Sequence, residues 1–351
     1  MQTKRVVIKI GTHVLTRDTE TLNRDMIQSI ASTVHVLGGL GVEVVLVSSG
    51  AVAAGTEVLG KNVGREVRAA VGQVKLMEVY ESAFAEYNTN VGQVLLTRSD
   101  FRNRSSYENA RATLTKLLEQ HIVPVINEND VTTTHELSFG DNDSLAAYTA
   151  IALGASHLFF LTNQEGLFDS DPHENPKASL IANVENIETV YQSVPRGISS
   201  SLGLGGIFSK VKAARLATSA GVETWIMSGF DIGNVVRVLG GEHIGTRLAP
   251  QQSSPSPRER WILCANNADA RLVVDVGAAR ALRERKSLLA VGVRRALGSF
   301  NSQDIVEIIA GDGNTIGYGV TNYGAEEIRS AISGKAKLDR EVIHTNNLRL
   351  I

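Results

Sequence analysis

From Arg5 to about residue 248 the sequence repeats one unit: a short apolar run rich in β-branched residues, a break, then a longer stretch with helical spacing. The runs Arg5–Ile10 (RVVIKI), Val42–Val47 (VEVVLV), Val91–Leu96 (VGQVLL), Val123–Ile126, Leu158–Leu161 (LFFL) and Val222–Met227 read as strands. Between them, Asn23–Val36, the stretch opening at about Val52, Val67–Ala85, Ser105–Gln120 and Leu145–Ala155 read as helices. The strands are apolar throughout rather than alternating, so both faces of their sheet must be covered. Strand–helix alternation then points to an α/β fold with a mainly parallel central sheet.

The pattern changes at Ala249–Pro257 (APQQSSPSP), which holds three of the seven prolines and reads as a linker. Beyond it come short β-rich pieces separated by glycines: Leu272–Val274, Leu288–Val293, Ile305–Ile309 and Ile316–Val320. For 351 residues two domains are expected, one over 1–250 and a small β-rich one over 258–351, joined by 251–257. Residues 258–351 carry 14 Lys/Arg against 11 Asp/Glu, a net +3, and the remainder carries −5. That balance permits a nucleic-acid partner for the tail but lacks a strong basic footprint.

The single cysteine, Cys264, excludes an internal disulfide framework and a zinc cluster of thiolates. No apolar run reaches the roughly 20 residues of a membrane span. Met1–Arg5 leads directly into a strand, without the apolar region of a signal peptide. A cytoplasmic enzyme with no membrane partner is therefore the expectation.

Open α/β sheets bind ligands at the C-terminal ends of their strands. Several polar groups fall there. Lys9 closes the first strand, where an ammonium needs an anionic partner such as phosphate or must snorkel to water. Ser48-Ser49-Gly50-Ala51 joins the second strand to a helix and offers backbone N–H groups to an anion. The Val123 strand ends in Asn127-Glu128-Asn129-Asp130, and Gly140-Asp141-Asn142-Asp143 precedes an apolar helix. This set reads either as a capped helix with a polar loop or as an anion and cation site. Pro195–Lys210 (PRGISSSLGLGGIFSK) is a glycine–serine loop ending in lysine, suited to phosphate contact or to the surface; it does not match GxxxxGK[ST]. The eight histidines show no ligand spacing, and no Ser–His–Asp or Cys–His set stands out.

These motifs carry a resemblance. KIGTHVLT, VLVSSGAVAAG, AAVGQ, VGQVLLTRSD, PVINENDVT, FGDNDSLAA, LTNQEGLF, DPHENPKA and IGTRLAP are similar, in order, to the successive motifs of glutamate 5-kinases. The tail, from RERWI through VDVGAARAL, SLLAVGV and GSF, resembles the PUA domain appended in that family.

The resemblance implies a three-layer amino acid kinase fold with a PUA-like domain, and ATP-dependent phosphorylation of the L-glutamate γ-carboxylate in proline biosynthesis. It implies that Lys9, Lys210 and Asp143 are catalytic, the two lysines on the phosphates and Asp143 holding them. Ser49, Gly50, Asn127, Asp130 and Asn142 would take glutamate, with Asp130 and Asn142 at its α-amino and carboxylate ends. Gly11, Thr162, Asn163, Leu204, Gly205, Gly206, Ile207, Phe208 and Ser209 would join the two lysines around ATP. Magnesium would accompany ATP, with no residue assigned to it. Proline would inhibit by competing with glutamate through the loop holding Glu136, and the kinase domains would assemble as dimers or tetramers. The chain departs from the family pattern at Asn163 (usually Asp), Leu204 (usually Thr) and Ile207-Phe208 (usually Met-Ser/Ala), positions that bear on the nucleotide. The alternatives are another small-molecule kinase of the superfamily, acting on carbamate, aspartate, N-acetylglutamate or UMP, and an RNA-binding protein working through its PUA-like tail.

Overall fold

The computed structural model describes all residues except 1–3, 18–20, 133–141, 173, 194–203, 252–254 and 266–269. The chain forms two compact units. One comprises Met1–Asp100 with Glu108–Ser254, the other Phe101–Tyr107 with Pro255–Ile351.

The first unit is built on β1 (Lys4–Ile10), β2 (Val42–Ser48), β3 (Val91–Leu96), β4 (Val123–Glu128), β5 (His157–Thr162), β6 (Asn183–Val184), β7 (Glu223–Ser228) and β8 (Thr246–Leu248). They form one sheet in the order β3-β4-β2-β1-β5-β7-β8-β6. All neighbours are parallel except β7 and β8. The helices are α1 (Thr12–Thr16), α2 (Arg24–Gly39), α3 (Ala51–Leu59), α4 (Arg65–Ala85), α5 (Arg98–Arg102), α6 (Arg104–Glu119), α7 (Asn142–Leu153), α8 (Ile187–Ser193), α9 (Leu204–Ser219) and α10 (Asn234–Leu239), with Phe101–Tyr107 of α5 and α6 counted in the second unit.

Side chains alternate across the strands, and each face has its own cover. Val6, Ile8 and Ile10 of β1, with Leu46, Phe159, Leu161 and Met227, pack against Ile27, Ile30, Leu76, Tyr80 and Val235 of α2, α4 and α10. Lys9 falls in the opposite register, on the face covered by α7 and α9. The layers are thus helix, sheet and helix.

Glycine sets both the start of α3 and its packing on α4. Gly50 caps α3 with φ 100, a left-handed conformation that favours glycine. Helices α3 and α4 approach so closely that a Cβ at Gly55 would lie 1.8 Å from the Arg68 carbonyl oxygen, and one at Gly72 would lie 1.8 Å from that of Ala51.

The second unit begins with α11 (Pro257–Cys264), whose first turn is closed by a reciprocal capping box between Ser256 and Glu259. Its sheet comprises β9 (Arg271–Val274), β10 (Val293–Leu297), β11 (Ile305–Ile309), β12 (Thr315–Val320) and β13 (Leu348–Leu350), in the order β10-β9-β11-β12-β13. Only β9 and β11 run parallel. With α12 (Val276–Arg283) and α13 (Ala325–Ile332) this sheet encloses a core of its own around Leu272, Val306, Ile308, Ile328 and Val342. The expected strand Leu288–Val293 is instead one bridge at Leu288 and a 3-10 turn over Ala290–Gly292, with β10 starting at Val293. Cys264 is buried, and burial pushes its thiol well up against the opposing charge of Arg260.

Candidate active site

The C-terminal ends of β1, β2, β4 and β5 open into a cavity of about 1100 Å³. Lys9 reaches its floor from β1 and is 6% exposed. Asp143 meets it from the first turn of α7, a position where the helix dipole favours a carboxylate. The Lys9 Nζ lies 2.7 Å from Asp143 Oδ1, and the Lys210 Nζ, arriving from α9, lies 3.1 Å from Oδ2. Ser209 also donates to Oδ2, at 2.7 Å, and Lys210 donates to the Gly206 carbonyl at 3.3 Å. One buried carboxylate thus holds two ammonium groups side by side. Burial alone would push the Asp143 carboxyl up. The charges of Lys9 and Lys210, with hydrogen bonds from Lys9 and Ser209, outweigh it and hold the group well below the usual carboxylate range.

A second cluster lines the wall nearest β2 and β4. Asn142 Nδ2 donates to Asn127 Oδ1 at 2.9 Å, to the Ser48 carbonyl at 3.1 Å and to Ser49 Oγ at 3.3 Å. Asn127 Oδ1 also accepts from the Glu128 N–H, and its Nδ2 donates to Gln73 Oε1 at 2.9 Å. Asp130 lines the same wall and pairs with Arg65 at 3.3 Å. The Arg65 side chain is 65% exposed, so this pair contributes little in water. Backbone at Gly50, Ala51 and Val52 completes the wall at the N-terminus of α3, where amide N–H groups lack helical partners.

On the β5 side, Gly11 donates its N–H to the Leu161 carbonyl, and Thr162 Oγ1 donates to Asn163 Oδ1 at 3.2 Å. Gly11, Thr162, Asn163, Gly206 and Ile207 all line the cavity. Leu204 and Gly205 form the first turn of α9. Phe208 is turned towards α8, where its ring stacks on Tyr191 at 5.8 Å. Asp141, Glu136 and the loop from Pro195 to residue 203 lie outside the described residues.

The site thus gathers nearly all the residues expected from the strand ends, together with groups that no strand-end argument assigns. Gln73 and Tyr80 approach from beneath on α4; Lys61, Arg65 and Arg68 line the cavity mouth. Gln73 carried a signal, being a polar residue within the apolar face of α4 formed by Ala69, Gly72, Leu76, Val79, Tyr80 and Ala83.

Residues 4–228 match the model of the amino acid kinase family, and residues 270–343 that of the PUA domain. A glutamate 5-kinase of Dehalococcoides mccartyi (strain CBDB1) is 42% identical, over 99% of this chain and 98% of its own length. The chain belongs to the glutamate 5-kinase family. Another member, from Pseudomonas savastanoi pv. phaseolicola, is 40% identical over 99% of both chains. Among solved structures, UMP kinase from Bacillus anthracis superposes with a TM-score of 0.50 at 18% identity, covering 71% of this chain and 96% of that one. It shares the fold of the kinase portion. As a member of this kinase family the chain uses ATP.

Proposed function

We propose that the chain transfers the γ-phosphoryl group of ATP to the γ-carboxylate of L-glutamate, giving L-glutamyl 5-phosphate and ADP, the first step of proline biosynthesis. The observation that carries this reading is the pair of lysines held by Asp143 at the end of β1, next to a wall of acceptors suited to an ammonium, in a chain about 40% identical to glutamate 5-kinases over its length.

The nucleophile is a carboxylate and is already ionised at neutral pH, so no general base is required. A γ-carboxylate oxygen attacks the γ-phosphorus while the bond to the β,γ-bridging oxygen breaks, and ADP leaves with that electron pair. Lys9 and Lys210 neutralise charge on the transferring group and the leaving oxygen. Asp143 fixes both ammonium groups before the reaction, so little reorganisation is needed. The N-terminal amides of α9, including those of Gly205 and Gly206, and of α3 at Gly50 favour anionic groups. Thr162, Asn163 and Ile207 border the nucleotide. Asp130 takes the α-ammonium of glutamate, with Asn142, Asn127 and Ser49 completing its pocket.

Among the described residues no cluster of three or more His, Cys, Asp or Glu forms a cage for magnesium. The oxygens of Asp143 are engaged by Lys9, Lys210 and Ser209. Magnesium would enter with the phosphates of ATP, which suits an ion that keeps most of its own waters. Proline competes with glutamate on this reading, and inhibition that saturating glutamate does not relieve would contradict it.

The test is incubation with glutamate, ATP and hydroxylamine. An acyl phosphate is captured as γ-glutamyl hydroxamate. A folded protein that yields none, yet turns over carbamate, aspartate, N-acetylglutamate or UMP with ATP, would overturn the assignment.

A further inference from the structure

The amide wall has a polarity, which two backbone groups reveal. The Ser48 carbonyl can only accept, so the end of Asn142 facing it at 3.1 Å is Nδ2. The Glu128 N–H can only donate, so the end of Asn127 facing it at 2.9 Å is Oδ1. That oxygen also takes the Asn142 Nδ2, at 2.9 Å. The remaining end of Asn127, Nδ2, must then find an acceptor beneath the site, and Gln73 Oε1 is that acceptor at 2.9 Å. Asn142 has spent its donor end on three acceptors and keeps Oδ1 for the cavity it lines. An amide oxygen recognises an ammonium and not a carboxylate. Asn142 therefore belongs at the α-amino end of the amino acid, beside Asp130.

Gln73 touches neither the cavity nor any residue of the lysine cluster. It is 8% exposed, and its Nε2 is buried without a hydrogen-bond partner among the described residues. A buried amide that leaves one donor unsatisfied is retained at a cost unless its other end has a task. Tyr80, two turns further along the same face of α4, meets Ser48 Oγ at 2.9 Å. One helix thus supports both strand ends that carry the wall.

We propose that Gln73 is a positioning residue for the amino acid substrate: by accepting from Asn127 it locks the Asn127–Asn142 amide pair in the orientation that presents Asn142 Oδ1 to the substrate ammonium. This rests on the glutamate kinase reading above. Without the Gln73 acceptor, Asn127 gains by rotating its amide to seek another partner, and Asn142 loses the oxygen that holds its own donor end. The substrate ammonium then meets a mixed population of donor and acceptor. A lost or misaligned hydrogen bond to a charged group lowers binding by about tenfold or more.

The test compares Gln73→Met, which keeps the shape and removes the acceptor, with Gln73→Glu, which keeps an acceptor. Rates are read by hydroxamate trapping, with thermal melting as a check of the fold. Gln73→Met raises the KM for glutamate about tenfold or more, moves the KM for ATP by less than about twofold and lowers kcat less than the glutamate KM changes. Gln73→Glu stays within about threefold of the parent. In an Asn127→Ala background, Gln73→Met adds almost nothing, because its route to the substrate is already gone. The proposal is overturned if Gln73→Met leaves the glutamate KM within about twofold, if both substrates' KM values rise together, or if the two substitutions add fully. An unsubstituted protein that forms no hydroxamate at all would instead overturn the glutamate kinase reading.

Discussion

Asp143→Asn removes one charge and leaves two ammonium groups facing each other, that of Lys9 buried and that of Lys210 partly so. At an effective dielectric of about 20, a carboxylate 2.7 Å from one ammonium and 3.1 Å from another gains roughly 6 and 5 kcal/mol of gross attraction. Desolvation offsets much of this, and removing one partner of such a buried set leaves a net loss of about 3–5 kcal/mol. The substitution should also lower kcat by about 10² to 10³, because the lysines lose the partner that aims them at the phosphates. Combination with Lys9→Met separates the two effects. In the parent, Lys9→Met removes a paired ammonium and destabilises. In the Asp143→Asn background it removes an unpaired one, and Tm should rise by about 2–4 °C for each kcal/mol recovered. The kcat losses should meanwhile be less than additive, since both changes disturb one unit. Calorimetry and hydroxamate trapping on the four proteins give both cycles. If Lys9→Met lowers Tm equally in both backgrounds, or the kcat losses add fully, Asp143 does not act by holding Lys9.

Three further outcomes are expected. Asp130→Ala should raise the glutamate KM more than about tenfold while the ATP KM holds, and the reverse pattern would move Asp130 to the nucleotide side. Gly72→Ala puts a methyl group 1.8 Å from the Ala51 carbonyl oxygen and should lower the urea midpoint by the equivalent of about 1–3 kcal/mol, with an unchanged midpoint refuting the close α3–α4 approach. Burial first, then the Lys4 ammonium, holds His157 down at about 4; Glu223 opposes them and Arg247 adds to them. The folded state thus favours neutral imidazole. This stability is fully present above about pH 6.5 and is lost as pH falls towards 4, by up to about 3 kcal/mol. His157→Gln should flatten that limb of the stability profile, and an unaltered limb would show that His157 is not its source.

The strands were legible because strands buried on both faces are apolar throughout, and β1, β2, β4 and β5 carry runs of Val, Ile, Leu and Phe. Strands of two or three residues, β6 and β8, lack enough sequence to show a pattern. Leu288–Val293 misled for a physical reason. Leu288 is 1% exposed, but Leu289 and Val291 are 55% and 80% exposed, so the run is apolar without lying in a sheet. Lys9 stood out because an ammonium in an apolar strand demands an anion. That the anion is Asp143 came only with the family resemblance, and that Ser209 shares it depends on how α7 and α9 pack on β1. The same holds for Gln73: its place in a motif was visible, but its partner depends on the seating of α4 beneath β4.

The order of the sheet also bears on how the protein is made. β1 leaves the ribosome before every other strand of its sheet, yet it ends between β2 and β5. One of its edges can be covered after Ser48 is synthesised, but the other stays open until His157–Thr162 appears. At about 5–20 residues per second that gap lasts roughly 7–30 s, during which an apolar strand presents unpaired backbone groups to other nascent chains. Lys9 is the one charge within its buried stretch. A charged side chain on an open strand is one of the devices that oppose edge-to-edge pairing, and the ammonium that later faces Asp143 is of that kind.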